Sequence, residues 1–93
     1  MNRLRQLEAF RAVMIAGGVT SAANILNISQ PAVSRLIASL EKALKTPLFD
    51  RRQGRLHPTS EAEFLYSEVD RAIANLDHVA QLAADIRNQK AGH

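Results

Sequence analysis

The stretch Thr20–Leu44, TSAANILNISQPAVSRLIASLEKAL, reads as two helices joined by a tight turn. Thr20 or Ser21 is expected to cap a short first helix whose apolar side is Ala22, Ala23 and Leu26. Asn27-Ile28-Ser29 then breaks that helix. Ser29 is a natural N-cap for a second one, and Pro31 falls in its first turn, where a missing N–H costs nothing. Small Ala22 and Ala23 let the two helices approach closely, while Ile28, Val33, Ile37 and Leu40 fill the angle between them. This is the pattern of a helix-turn-helix whose second helix lays its N-terminal residues in the DNA major groove.

The side chains at that end of the second helix suit the task. Gln30 carries an amide that bonds bidentately to adenine, Ser34 a hydroxyl, and Arg35 a fork matched to guanine or phosphate. Gln30 and Ser34 are four apart and share a face. Pro31 and Ala32 are small apolar surfaces for a thymine methyl. On an isolated helix these residues would read equally well as a solvated polar stripe; the preceding helix and turn favour DNA.

Gly18-Val19-Thr20-x-Ala22-Ala23, then Ser29-Gln30-Pro31-Ala32-Val33-Ser34-Arg35, Leu40-Glu41 and Leu48-Phe49-x-Arg51 recur at a specific spacing. The set resembles the N-terminal DNA-binding region of LysR-type transcriptional regulators, over nearly the whole chain. The resemblance implies a bacterial winged helix-turn-helix whose linker helix dimerises in antiparallel fashion. It also implies a further C-terminal domain that binds a small-molecule inducer and assembles tetramers. The chain is therefore expected to be a fragment of a longer regulator, rather than a shortened relative, with no cofactor in the part present. Two departures stand out: Lys45 and Ala62 occupy places where relatives usually have glycine.

Ninety-three residues make one small domain with a modest core. Helix formers dominate and aromatics are only 4%, so a mostly α fold follows. There is no cysteine, hence no disulfide and no thiolate metal site. With no apolar run of membrane-spanning length and no signal-peptide pattern, a cytoplasmic protein is expected. Net charge is +3, unevenly spread. Residues 1–58 hold nine Lys/Arg against three Asp/Glu; residues 59–93 hold three against six. The basic part contains the helix-turn-helix, as a polyanion partner requires.

Asn2 is expected to cap a first helix running to about Ala16, with Leu4, Leu7, Phe10, Val13 and Met14 as its buried stripe. Either Arg5 or Arg11 is a candidate for a phosphate. Gly17-Gly18 ends that helix. Thr20, at the start of the next, is a candidate for both capping and phosphate binding, as is Ser29. Ile37, Leu40 and Leu44 should continue the buried stripe of the recognition helix. From Pro47 on, Leu48-Phe49-Asp50-Arg51 and Leu56-His57-Pro58 read as two short strands around Arg52-Gln53-Gly54-Arg55: a wing anchored by Phe49 and Leu56. Arg51, Arg52 and Arg55 then rim a projecting turn suited to phosphates and the minor groove. Arg55, nearest the tip, is the candidate for insertion.

Thr59 should cap the last helix, with Glu61 and Glu63 placed well against its dipole. About thirty residues without Pro or Gly make a rod of roughly 45 Å. Leu65, Val69, Ala72, Leu76, Val79, Ala83 and Ile86 step by four and three, a heptad seam that Ile73 and Ala80 widen. Its inner end, with Phe64 and Leu65, should pack on the core. The outer end lies beyond the reach of so small a domain and calls for a second copy, although heptads alone leave the direction open.

His57, His78 and His93 are scattered, and no metal, nucleotide or nucleophile motif occurs. An enzyme is not expected. The reading is thus a winged helix-turn-helix domain over 1–58, a three-helix core plus a short hairpin, followed by a linker and dimerisation helix over 59–93. The rival is a helical module that binds only protein, which has no use for the basic half.

Overall fold

The computed structural model describes residues 3–91. Three helices come first: α1 (Arg3–Ala16), α2 (Val19–Leu26) and α3 (Gln30–Leu44). An antiparallel hairpin of β1 (Phe49–Arg52) and β2 (Arg55–Pro58) follows, and α4 (Ser60–Ala91) closes the chain. The expected cap at Asn2, like His93, lies outside the described residues.

Local chemistry sets most boundaries. Gly17 at φ 80° turns the chain out of α1. Asn27 closes α2 and Lys45 closes α3, both left-handed at φ 57° and 54°. Each closure is sealed by a bond from the following amide to the carbonyl five residues back: Ile28 to Ala23 at 3.1 Å and Thr46 to Glu41 at 3.1 Å. Lys45 takes a left-handed conformation that glycine adopts more easily. Ser29 caps α3 as expected, its Oγ accepting from the Ala32 amide at 3.2 Å. The start of α2 differs from expectation. Gly18, extended at φ 178°, is the N-cap, with no side-chain bond, and Thr20 is already inside the helix. Glycine at 17 reverses the chain so sharply that α2 starts before either hydroxyl is reached.

The core lies where α1, α2 and α3 cross. Phe10, Val13, Val33 and Leu40 are fully buried, and Ala9, Ala12, Ala22 and Ala23 are the close-approach surfaces. These alanines decide which face of α1 goes inside, because helices cross closest where side chains are smallest. The buried face is therefore Gln6, Ala9, Phe10, Ala12 and Val13, which keeps Phe10 and Val13 of the expected stripe and shifts its centre toward the small residues. Leu4 is left exposed, as is Leu44 at the end of α3, and Leu7 and Met14 are half-buried. Gln6, almost completely buried, accepts from Arg3 Nη1 at 3.0 Å.

Leu48 is buried and Phe49 sits against Phe10, ring centroids 5.9 Å apart and tilted by 52°. Glu41 of α3 reaches back to the same point. Its Oε2 accepts from the Leu48 amide at 2.7 Å and the Phe49 amide at 3.3 Å. One carboxylate thus fixes the path from helix to hairpin. Glu41→Ala is expected to lower stability by about 1 kcal/mol, hence the melting temperature by about 4–8 °C. Thermal unfolding followed by circular dichroism checks this; an unchanged melting curve would remove Glu41 from the wing's support.

The hairpin is tighter than the sequence implies. Its register pairs Arg52 with Arg55, leaving Gln53-Gly54 as a two-residue turn with both φ positive, 51° and 75°. That geometry matches the twist of the strands. Four loop residues were expected because Gln53 gives no sign of a left-handed backbone. Arg52 and Arg55 therefore belong to the strands.

Thr59 caps α4, accepting from the Ala62 amide at 3.2 Å, and its backbone N–H reaches Leu48 O at 2.9 Å. The first turns of α4 lie on α1 through Ala62 and Val69, both buried, with Leu65, Tyr66 and Ile73 packed against the core. Arg11 Nε meets Asp70 Oδ1 at 2.8 Å; both are partly exposed, so the pair orients α4 more than it stabilises. Phe64 does not join the core. It is 76% exposed, because two residues past Ala62 is about 200° around the helix. Beyond Ile73 the helix runs free of the domain, and the molecule measures 59 × 25 × 23 Å.

Candidate nucleic-acid interface

A concavity of about 830 Å³ opens between the start of α2, the first turn of α3 and the hairpin. Each wall follows from a local feature already described. The Gly17-Gly18 reversal forms the upper edge. The Ser29 cap aims the first turn of α3 outwards, and Pro31 at its second position fixes the backbone there. Leu56, half-buried against the core, holds the hairpin as the opposite wall.

Gln30, Pro31 and Ser34 line this concavity, with Thr20, Arg51 and Arg55. All six are exposed. No acidic side chain lines it among the described residues. Ala32 and Arg35 turn to the other flank of α3, where a hollow of about 230 Å³ is shared with Arg5, Leu36 and Ser39. The five candidate base readers therefore straddle the ridge of α3, as a helix lying along a groove presents two flanks. Ser29 lies exposed at the tip of that ridge, its oxygen already accepting from Ala32.

Of the wing arginines, Arg52 stands apart. Its Nη2 is 3.7 Å from Asp50 Oδ2 on the same strand, and it is not among the lining residues. The candidates for phosphate are thus better supported at Arg51 and Arg55. Arg11, paired with Asp70, is committed within the fold, whereas Arg5 lies beside the second flank of α3. Two polar lining residues were missed from sequence: Ser21, hidden by the mistaken start of α2, and His57. Alternation along β2, with Leu56 inward, marks His57 as exposed but does not by itself place it at the concavity.

The apolar steps of α4 divide into two sets. Val69 is buried and Leu65 and Ile73 pack on the chain's own core. Ala72, Leu76, Val79, Ala83 and Ile86 are exposed, as is Leu82, which lies beside the seam. No helix of the described residues is long and apolar enough to cross a membrane. Among the described residues no cluster of three or more His, Asp or Glu is placed to hold a metal ion.

Comparison with known proteins gives a consistent picture. Residues 4–63 match the family described as bacterial regulatory helix-turn-helix protein, lysR family. The chain is 54% identical over 89 residues to the octopine catabolism/uptake operon regulatory protein OccR of Rhizobium meliloti. That match covers 96% of this chain and 30% of OccR. It is 45% identical over 89 residues to the transcriptional activator protein LysR of Escherichia coli K12, covering 96% and 29%. The chain thus spans less than a third of the length of these relatives. Among solved structures, BenM DBD in complex with catB site 1 DNA superposes with a TM-score of 0.85 at 34% identity. The superposition covers 92% of this chain and 96% of that one.

Proposed function

The chain belongs to the lysR family of bacterial regulatory helix-turn-helix proteins, and from that premise we propose that it reads specific sites on double-stranded DNA as a homodimer. The observation that carries this reading is the shared concavity: Gln30, Pro31 and Ser34 stand in one open surface with Arg51 and Arg55 and no opposing carboxylate. In it, α3 lies in the major groove and the tip of the hairpin enters the neighbouring minor groove. Gln30, Pro31, Ala32, Ser34 and Arg35 choose sequence; Thr20, Ser29, Arg51 and Arg55 supply phosphate and wing contacts, with Arg52 at their edge beside Asp50.

Residues 1–58 are the reading unit and 59–93 the linker that pairs two copies. The exposed outer seam of α4 supports this division. An antiparallel pair lays each outer half, Leu76 to Ile86, along the partner's inner half, where Phe64 and Ala72 remain uncovered. Phe64 and Leu82 are eighteen residues apart, five full turns, and so lie on one line of the helix. In such a pair each extends the seam for the other.

The relatives are transcriptional regulators rather than enzymes. We read the chain as the DNA-binding part of a cytoplasmic regulator of this kind. In the whole protein a further domain would take a small-molecule inducer and extend the dimer to a tetramer.

Selection from random duplex DNA at moderate salt tests the proposal. The expected result is an enriched two-fold-symmetric site whose affinity falls steeply with salt, as release of counterions from several phosphates requires. A chain that bound no duplex would overturn the reading in favour of a protein-binding module.

A further inference from the structure

We propose that His57 is a DNA contact of its own kind: a ligand for the single sugar–phosphate strand that separates the groove read by α3 from the groove entered by the wing. The inference rests on the DNA reading above and adds a residue that no motif of the chain points to.

The position follows from the hairpin. On β2, Leu56 packs against the core while Arg55 and His57 are exposed, and His57 lines the main concavity together with Thr20, Gln30 and Ser34. The register sets it opposite Asp50, whose carboxylate is 3.7 Å from Arg52 on its own strand. No hydrogen bond or ion pair engages the imidazole among the described residues. It is an exposed polar group at the concavity that the fold does not use.

Two elements inserted in neighbouring grooves must straddle one backbone strand. Here α3 and the hairpin are those elements, and the concavity between them is where the strand passes. Depth decides what His57 meets. Two residues of extended chain, roughly 6.6 Å, separate it from Arg55 near the tip. A minor groove is about 7.5 Å deep. With Arg55 set into that groove, His57 is therefore close to a groove depth further out, near the level of the phosphates and clear of the base edges. Thr20 lines the same concavity. An imidazole donates one N–H when neutral and two when charged, so it serves a phosphate oxygen in either form.

The test uses the full chain with two duplexes of equal length, one carrying the selected site and one scrambled. Each phosphate of the selected duplex is replaced in turn by an uncharged methylphosphonate. His57→Ala is expected to weaken binding to both duplexes by about five- to ten-fold. The unaltered chain should lose affinity when one particular phosphate per half-site is neutralised, and His57→Ala should no longer respond at that phosphate. His57→Arg should restore both the affinity and the response. A merely structural role would lower affinity without erasing the response at a single position. The inference fails if His57→Ala keeps the original phosphate profile, or if it weakens only the selected site, which would mark a base contact. An unaltered chain that bound neither duplex would overturn the DNA reading itself, and this contact with it.

Discussion

Replacing Leu76 and Val79 together by glutamate is expected to leave the chain folded, monomeric and weaker on its DNA site by about 10²–10⁴-fold. Both side chains are about half exposed on their own helix, 50% and 52%, so the substitution removes little from the domain's core. What it removes is the seam. Leu76, Val79, Leu82 and Ile86 each have roughly 1 kcal/mol of transfer free energy still to gain by being covered. Two carboxylates per helix set into that seam would have to be desolvated beside two more from the partner. Sedimentation equilibrium should show the original chain as a dimer and the double variant as a monomer. The effect on DNA is larger than any single contact, because the second reading unit then loses its tether to the first. A double variant that stayed dimeric would move the interface away from α4.

What the sequence disclosed and what it hid divide along a physical line. The helix break at Asn27, the Ser29 cap and the Thr59 cap are local devices, involving residues within five of one another. Such devices are legible because the chain near them contains the whole interaction. The family motif added the wing and the linker on the same basis.

Two local features escape this rule, the start of α2 at Gly18 and the left-handed Gln53, because neither residue type announces that backbone. The other errors come from long-range packing. Which face of α1 goes inside depends on where α2 can approach, and alanine at 9, 12, 22 and 23 decides it over the leucines. Hydrophobicity alone ranks Leu4 above Gln6; the structure reverses them. Phe64 reads as core from its place beside Leu65 at the inner end of the seam, yet helix geometry carries it away from Ala62 and Val69. The Arg11–Asp70 pair joins residues 59 apart, and the Glu41 clamp joins a helix to a strand it precedes. Neither is visible as a pattern. At the interface the division is similar. Gln30, Ser34 and Arg35 were found from their place on a helix, whereas their separation onto two flanks of α3 needed the hairpin and α1 in position.

Gln30 carries the sharper of the two large effects, since it bears on sequence choice and not on assembly. It is the first residue of α3, exposed, and directed into the concavity, with Pro31 fixing the backbone beside it. Its amide offers one donor and one acceptor, the pair that adenine presents in the major groove. Gln30→Ala should lower affinity for the selected site by roughly 1–3 kcal/mol, about 5- to 150-fold, and leave the scrambled duplex nearly unchanged. The helix should not suffer, because alanine is at least as good a helix former and the Ser29–Ala32 bond stays in place. Titration of both duplexes at one salt concentration separates this from a phosphate role, which would weaken them together. Repeating the selection with the variant gives the stronger check: one base pair in each half-site should lose its preference while its neighbours keep theirs. If the same site emerges with the same preference at every position, Gln30 does not read bases, and the choice rests on Ser34 and Arg35 across the ridge of the helix.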